Sequence, residues 1–336
     1  MTPSLTTPFK TTLCITQTCN LECSHCYADC SDDKRSRELT LKEWLGFIDY
    51  LVENDFIQIY IEGGEPFHRP DFDEILAHCC RKLMTLVRTN GTLIDRDRAR
   101  DLKRLGVGRV FVDLMGAQAE THDRFAGVPG SFAKACGAIR ALLEARVPTD
   151  ILTIVNRGNL GELQDLLELA GDLGVARVGL LRLYPLGRVK RRWSEFSVGL
   201  EAQMEAVAAL RPPEGVTVMQ SWHPRDRNCC WQAAAVSPFG DSIGCAYLRE
   251  YVNFGSIRET PFLDIWRDNA LYKQLRSGKV EQSCPDCSAN EGTHGGCRAA
   301  AFAFHGRWTA PDPFCTTLNN GVDLHDFPAG LLPENA

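Results

Sequence analysis

The chain has 336 residues, of which 44% are hydrophobic and 24% charged, and its formal net charge is -6. A chain of this length buries a sizeable core and is expected to form about two domains. No apolar run approaches the ~18 residues of a membrane span, so the composition excludes membrane insertion. The acidic balance, without a long basic run, argues against a large nucleic acid as partner.

The first residues and the cysteine count together indicate the compartment and the chemistry. Residues 1–10 lack the apolar stretch of a secretory signal, so we expect a cytoplasmic protein. The chain nevertheless contains 15 cysteines. Because disulfides are rare in a reducing compartment, these cysteines indicate metal ligation or redox chemistry.

Short apolar runs alternate with amphipathic helical patterns from residue 9 to about residue 182. The predicted strands cover residues 9–15, 57–61, 84–89, 110–114, 151–155 and 178–182. Thr40 is predicted to begin the first helix, with Glu43 completing a capping box, and Asp71 with Glu74 repeats this pattern. Further helices are predicted over residues 95–105, 131–145, 160–173 and 200–210.

Six strand–helix units predict a parallel sheet covered by helices. A partial barrel and a doubly wound sheet both fit, and both place reactive loops at the carboxyl ends of the strands. The pattern breaks after Arg182, and Pro212 and Pro213 end the next helix. We therefore predict one domain over residues 1–212 and a second over 213–336. The second is irregular and rich in cysteine, and a bound metal cluster could stabilise it.

Three cysteines lie close together in the loop after the first predicted strand. Cys19, Cys23 and Cys26 follow the spacing C-x3-C-x2-C. Three thiolates can hold three irons of a [4Fe-4S] cluster and leave the fourth iron open to another ligand. The alternative is a zinc knuckle with His25 or Cys30 as fourth ligand.

The ends of the next two predicted strands carry further signals. The second ends in Glu-Gly-Gly-Glu-Pro at residues 62–66, and the third in Thr-Asn-Gly at residues 89–91. The glycine pair lets the backbone approach a ligand closely, and Glu65 offers a carboxylate to an ammonium group. A zinc knuckle needs neither feature.

These three motifs, in this order, resemble the radical S-adenosylmethionine (radical SAM) superfamily. Residues 121–132 resemble the segment after the fourth barrel strand in members with a SPASM or twitch extension. The resemblance implies an α/β fold, a partial (β/α)6 TIM-like barrel of parallel strands followed by a small irregular cysteine-rich iron-sulfur domain. It also implies reductive cleavage of S-adenosylmethionine to a 5'-deoxyadenosyl radical that abstracts a substrate hydrogen.

The resemblance assigns roles to residues of the first domain. Cys19, Cys23 and Cys26 would hold the [4Fe-4S] cluster. The residues that would bind S-adenosylmethionine are Gly63, Gly64, Glu65, Asn90, Asp113 and Arg182.

Two of these assignments have alternatives. Relatives usually read Ser-Leu-Asp-Gly where this chain reads Asp-Leu-Met-Gly at residues 113–116. Asp113 could bind a ribose hydroxyl, act as a catalytic base, or be an adaptation of the pocket without chemistry. Arg182 could pair with the cofactor carboxylate or form a surface ion pair.

A second group of cysteines resembles the ligands of auxiliary iron-sulfur clusters in SPASM domains. Its members are Cys230, Cys245, Cys284, Cys287, Cys297 and Cys315. Ala301 stands where the family often has another cysteine. The last four could hold one complete cluster and leave Cys230 and Cys245, with Cys229, for a second, open or absent one. A twitch arrangement would join the first four instead, and a zinc ribbon at Cys284 and Cys287 is a further alternative.

The remaining cysteines and histidines carry weaker signals. Packing is the favoured role of Cys14, Cys79, Cys80 and Cys136, and the role of Cys30 stays open. His122, His223 and His294 could transfer protons, although a lone histidine is usually an ordinary hydrogen-bonded side chain.

The resemblance implies a radical SAM oxidoreductase of the SPASM/twitch subfamily. It would carry out a two-electron oxidation (dehydrogenation, decarboxylation or bond formation) on a small-molecule natural product or cofactor precursor, with one or two auxiliary clusters and one of them as electron acceptor. The alternatives are an epimerase, in which Cys229 returns a hydrogen atom, a ribosomal-peptide maturase, and a non-catalytic iron-sulfur electron carrier. The implied partners are a small-molecule or peptide substrate and an electron donor such as flavodoxin or ferredoxin.

Overall fold

The computed structural model describes residues 7–32, 37–220, 234–277, 280–282, 296–319 and 321–326. Within these residues it has one sheet of eight parallel strands, in the order β7-β6-β5-β4-β3-β2-β1-β8. The strands β1 to β8 are, in chain order, Lys10–Cys14, Gln58–Glu62, Met84–Thr89, Arg109–Asp113, Thr149–Ile154, Arg177–Leu181, Thr217–Gln220 and Ala235–Val236.

Helices cover the sheet between successive strands. The described helices α1 to α11 are Leu41–Glu53, Phe72–Lys82, Arg96–Leu105, Ala119–Ala126, Ser131–Glu144, Leu163–Leu173, Trp193–Phe196, Leu200–Ala209, Phe262–Asp268, Ala270–Ser277 and Arg298–His305. Their apolar stripes face the strands, as in α1, which buries Trp44, Ile48 and Leu51. Among the described helices, none is both long and apolar enough to cross a bilayer.

The strand order decides between the two architectures left open by the sequence. Strands β1 to β6 are neighbours in chain order, whereas a doubly wound sheet reverses its order at a switch point. The sheet also stays open at β7 and β8. The partial TIM-like barrel is therefore confirmed, and the six predicted strands lie within two residues of the observed ones.

The two edge strands come from beyond the predicted domain boundary. β7 pairs with β6, and β8 pairs with β1. The sequence analysis missed both because four and two residues are too short to show a period. The sheet thus extends past residue 212, and the division of the chain there stays a prediction.

The two predicted helix caps have different outcomes. At α1 the Thr40 hydroxyl accepts the Glu43 N–H at 3.3 Å, and the Glu43 carboxylate accepts the Thr40 N–H at 2.7 Å. The capping box at α2 is wrong, because Asp71 makes no capping hydrogen bond. Its carboxylate instead accepts a hydrogen bond of 2.6 Å from Nε of Arg69.

Replacing the Thr40 cap should destabilise the protein measurably. Thr40→Ala removes the acceptor of the Glu43 N–H, and we expect the free energy of unfolding to fall by about 1 kcal/mol. The matched control is Gln118→Ala, since Gln118 occupies the same position at α4 without a side-chain capping bond. Urea denaturation of both variants measures the difference. Equal stabilities would contradict the role of the cap.

Candidate active site

A cleft opens at the carboxyl edge of the sheet, between the loop after β1 and the ends of β2 to β5. Backbone and side chains from all these elements line it. They are Cys19, Cys23, His25, Cys26, Tyr27, Cys30, Glu62, Gly63, Gly64, Arg88, Thr89, Asn90, Asp113 and Ile154. The three motif cysteines and four of the six predicted cofactor-binding residues therefore share one cleft.

The sulfurs of the first loop are set up as metal ligands. The Leu21 N–H donates to Cys19 Sγ at 3.4 Å, and the Cys30 N–H donates to Cys26 Sγ at 3.3 Å. Hydrogen bonds from Cys30 lower the pKa of Cys26, whereas burial raises the pKa of Cys19 to about 12 and that of Cys23 well above its ordinary value. Binding of iron would drive the last two to thiolates. The loop therefore fits a cluster with three cysteine ligands.

The zinc alternative at this loop finds no support in the geometry. A zinc ion needs four ligand atoms within about 2.3 Å of one point. In the described part of the chain, no three His, Cys, Asp or Glu side chains are grouped closely enough to hold a single metal ion. His25, one of the two suggested fourth ligands, packs against Phe125 with ring centroids 5.1 Å apart and ring planes tilted by 43°.

Arg188 holds the cluster loop from the side opposite the sheet. Its guanidinium donates to the carbonyls of Cys23 at 3.0 Å and Cys30 at 2.6 Å, and its own N–H donates to the Cys26 carbonyl at 2.9 Å. Gly187 permits this contact, since a Cβ there would overlap the Cys26 carbonyl. The sequence analysis missed this role of Arg188.

Arg188 should therefore matter for retention of the cluster in the barrel. We expect Arg188→Ala to lower the affinity for that cluster roughly tenfold, as for other residues that orient metal ligands. The measurement is the loss of iron to a chelator over time, followed through the EPR signal that responds to S-adenosylmethionine. Arg191→Ala is the matched control, because that side chain is exposed. Iron loss at the same rate in both variants would refute the role.

The glycine pair after β2 lines the cleft and also packs closely on the cluster loop, and its close approach to a ligand stays a prediction. A Cβ on Gly64 would overlap the carbonyl of Thr18, and a Cβ on Gly63 would lie 2.7 Å from the carbonyl oxygen of Thr16. The Gly64 N–H donates to that Thr16 carbonyl at 2.7 Å. The glycines thus let the end of β2 pack directly on the cluster loop, and they line the cleft as a result.

Glu65 does not offer its carboxylate to the cleft. Its side chain is fully buried and accepts hydrogen bonds from the Thr89 hydroxyl at 2.8 Å, the Asn90 N–H at 2.8 Å and the Phe67 N–H at 3.1 Å. Burial raises its pKa to about 7. The expected contact with an ammonium group is corrected accordingly: Glu65 ties the end of β2 to the end of β3.

Asn90 joins the cluster loop to the loop after β3. Its side-chain amide donates to Asn20 Oδ1 at 3.0 Å and lies 3.9 Å from Cys19 Sγ. Its own oxygen accepts the Thr92 N–H at 2.9 Å. Asn90 lines the cleft beside the first cluster ligand, and its contact with the cofactor stays a prediction.

Three charged side chains meet in the floor of the cleft. Arg88 donates through Nε to both oxygens of Asp113, at 3.0 and 3.1 Å, and its Nη1 lies 3.9 Å from Glu62. Burial raises the pKa of Asp113. The sequence analysis predicted Asp113 but missed Arg88, whose signal was a single cation in the otherwise uncharged strand Met84–Thr89. The ion pair holds Asp113 in the cleft with a quarter of its side chain exposed.

Arg182 lies elsewhere, and its assignment to the cofactor carboxylate is corrected. Its Nη1 donates to both oxygens of Asp312, at 3.0 and 2.7 Å, and its guanidinium lies 4.6 Å from the ring centre of Phe314. The alternative of a surface ion pair is also wrong, because the two charged side chains are only 2% and 1% exposed. Arg182 therefore attaches the end of β6 to the C-terminal part of the chain.

The second group of cysteines is only partly described. Cys229, Cys230, Cys284 and Cys287 lie outside the described residues, as do His223 and His294. Cys297 begins α11, and its N–H donates to Asp312 at 2.7 Å. Cys245 and Cys315 are half-buried and buried, respectively. Their roles as ligands stay predictions.

A series of three contacting tyrosine rings runs from the cleft to Cys297. The ring of Tyr27, which lines the cleft, lies 5.1 Å from that of Tyr247. Tyr247 stacks on Tyr184 at 4.0 Å, and the Tyr184 hydroxyl lies 3.4 Å from Cys297 Sγ. Burial raises the pKa of all three phenols, so they stay neutral. Aromatic rings thus connect the first cluster loop with a predicted auxiliary ligand.

The other candidate residues have ordinary environments. Cys14, Cys79 and Cys136 are buried, and Cys30 lines the cleft beside Cys26. His122 accepts the Met115 N–H at 3.1 Å, as a hydrogen-bonded core histidine does.

An open parallel barrel with three cysteines on its first loop defines an iron-sulfur protein of the partial-barrel class. The chain belongs to the radical SAM superfamily, whose model matches residues 13–170, and an iron-sulfur cluster-binding SPASM domain matches residues 229–288. These two matches imply a [4Fe-4S] cluster with S-adenosylmethionine in the barrel and auxiliary iron-sulfur chemistry in the C-terminal part.

Similar proteins cover nearly the whole chain. The AdoMet-dependent heme synthase of Methanosarcina barkeri is 30% identical, over 90% of this chain and 94% of that protein. The PqqA peptide cyclase of Streptomyces rochei is 29% identical, over 93% and 90%.

Solved structures share the fold at lower identity. Streptococcus suis SuiB bound to S-adenosylmethionine has a TM-score of 0.72 at 17% identity, over 93% of this chain and 78% of that one. Native anSMEcpe with bound AdoMet has a TM-score of 0.68 at 16% identity, over 91% and 94%.

Proposed function

We propose that this radical SAM enzyme catalyses a two-electron oxidation of a cofactor precursor, with an auxiliary cluster at Cys297 as electron acceptor. When bound, the barrel cluster and S-adenosylmethionine supply the radical that removes a hydrogen atom from the substrate. The observation that carries the proposal is the series of ring contacts from Tyr27 through Tyr247 to Tyr184, between the cleft and Cys297. An electron leaving a substrate radical in the cleft has a continuous aromatic contact toward that cysteine.

We assign Asp113 as the acceptor of the proton that the oxidation releases. Oxidation of a substrate radical to a closed-shell product releases one electron and, in a dehydrogenation, one proton. The Asp113 carboxylate is the group in the cleft floor that is partly exposed and already oriented by Arg88. Its raised pKa favours proton uptake at Oδ.

The relatives support two candidates for the substrate class. They are named a heme synthase and a peptide cyclase. We favour a small molecule, such as a tetrapyrrole with carboxylate side chains, because a relative that is 30% identical is named a heme synthase. Bond formation within a peptide is the second candidate. We further propose the cytoplasm as location, since none of the eleven described cysteines forms a disulfide.

Cluster analysis of cysteine variants tests the two-site arrangement. The triple variant Cys19→Ala, Cys23→Ala and Cys26→Ala should keep C-terminal iron but lose formation of 5'-deoxyadenosine, because only the barrel cluster cleaves S-adenosylmethionine. Iron and sulfide content, EPR and chromatography of anaerobically reconstituted protein measure this. Cys80→Ala, distant from the motif in sequence, is the control and should keep both properties. A triple variant without iron, together with zinc in the wild type, would overturn the auxiliary-cluster assignment.

The fate of solvent deuterium separates oxidation from epimerisation. The experiment uses wild-type enzyme in D2O with an iron tetrapyrrole or a short peptide as substrate. Oxidation should give a product whose mass is lower than that of the substrate by the atoms that the reaction removes. One S-adenosylmethionine should be consumed per two-electron step. A product of unchanged composition that carries one solvent deuterium would replace the oxidation with epimerisation, and Cys229→Ser would then identify the hydrogen donor.

The hydroxyl of Tyr184 should tune the cluster at Cys297. Tyr184→Phe keeps the stack on Tyr247 but removes a hydrogen bond to the sulfur, so we expect a lower reduction potential of that cluster. A shift on the order of 40 mV corresponds to about 1 kcal/mol for a one-electron couple. EPR-monitored titration measures the shift. Tyr251→Phe is the control, because the Tyr251 hydroxyl is buried without a hydrogen-bond partner in the described residues. If neither variant shifts the reduction potential, the assignment of Cys297 as a ligand of that cluster is wrong.

A further inference from the structure

A groove outside the cleft runs between the start of α3 and the outer face of α5. It begins at the loop that follows Thr89-Asn90-Gly91, and its exposed rim side chains are Leu93, Asp95, Arg96, Lys134, Arg140 and Glu144. Leu93 is a large apolar side chain with 39% of its surface exposed. The groove therefore has one exposed apolar side chain within a charged rim.

The groove carries a small positive charge in an acidic protein. Its charged lining side chains are Arg96, Lys134 and Arg140 against Asp95 and Glu144, a net charge of +1, whereas the whole chain has -6. Arg96 is paired with Glu144 at 3.3 Å. In the described part of the chain, neither Lys134 nor Arg140 forms an ion pair. Two unpaired cations therefore stand on α5 beside the groove.

The wall of the groove also contacts the cluster loop. The Thr92 hydroxyl, on the groove side, accepts a hydrogen bond of 2.8 Å from the side-chain amide of Asn20. Asn20 follows Cys19, and Asn90 lies 3.9 Å from the Cys19 sulfur. A protein seated in the groove would thus be separated from the first cluster ligand by a single layer of hydrogen-bonded side chains.

We propose that this groove docks a small acidic one-electron carrier protein that reduces the barrel cluster. The occupant follows from three observations: a cluster that must receive electrons from outside, a local charge opposite in sign to that of the whole chain, and the short connection to Cys19. In the transfer the carrier loses one electron and the cluster goes from its +2 to its +1 state, with no bond made or broken. The inference rests on the cluster at Cys19, Cys23 and Cys26 and is independent of which substrate is oxidised.

Charge reversal on α5 tests the docking with reduced flavodoxin as probe. We expect Lys134→Glu with Arg140→Glu to weaken flavodoxin binding to the reconstituted enzyme by at least about tenfold. The reason is that charges at the rim of an interface set the association rate and its dependence on salt concentration. The rate of flavodoxin-driven 5'-deoxyadenosine formation should fall with it. The control double variant, Lys42→Glu with Arg267→Glu, changes the same charge on α1 and α9 and should behave as wild type. Calorimetry at two salt concentrations gives the affinities.

Reduction by dithionite separates this inference from the proposed function. Dithionite needs no docking site, so the Lys134/Arg140 variant should make 5'-deoxyadenosine at the wild-type rate with it. Lys134→Gln with Arg140→Gln should show a smaller loss of the same kind, and it replaces the reversal variant if that one holds less iron. Three results would overturn the proposal. The α5 variants could bind flavodoxin as tightly as the wild type does, the wild type could fail to bind flavodoxin, or duplex DNA alone could displace flavodoxin from the enzyme. If the Lys134/Arg140 variant also lost activity with dithionite, its effect would not be one on docking, and the proposal would be overturned as well. A wild type that forms no 5'-deoxyadenosine with dithionite would instead count against the cluster site itself.

Discussion

The loop that carries the three motif cysteines depends on hydrogen bonds supplied by the rest of the barrel. A short loop with three ligands has few internal partners for its own amides and carbonyls, and buried backbone groups must be paired. The end of β2 pairs with Thr16 and Thr18, and Phe125 in α4 accepts the Ser24 N–H at 2.9 Å. Arg188 binds the carbonyls on the remaining side. The cysteines are thus held in place from three directions before any iron binds.

This arrangement explains which parts of the fold the sequence could predict. Strands buried on both faces read as apolar runs, so β1 to β6 were found almost to the residue. Helix α4 was recognised as a family-like segment but not as a helix, since eight residues around Thr121-His122-Asp123 give little periodicity. The edge strands β7 and β8 are set by pairing with a neighbour, which no local pattern reports.

At the site, residue types were predicted better than residue roles. The motif cysteines, the glycine pair, Asn90 and Asp113 do meet in one cleft. Glu65 and Arg182 lie outside this cleft, because a buried charge pairs with whichever group the tertiary structure places beside it. The partner of Glu65 comes from β3, and that of Arg182 is Asp312. Arg88 and Arg188 were missed for the same reason: each acts through a contact distant in sequence.

The buried pair of Arg182 and Asp312 constrains how such a chain could be recombined. Its members lie 130 residues apart, one after β6 and one beside Cys297. Exchange of the C-terminal part with that of an enzyme that lacks Asp312 would leave the Arg182 charge buried without its partner, at a cost of about 3 to 5 kcal/mol. The two positions must therefore be kept together or replaced together in a functional chimaera.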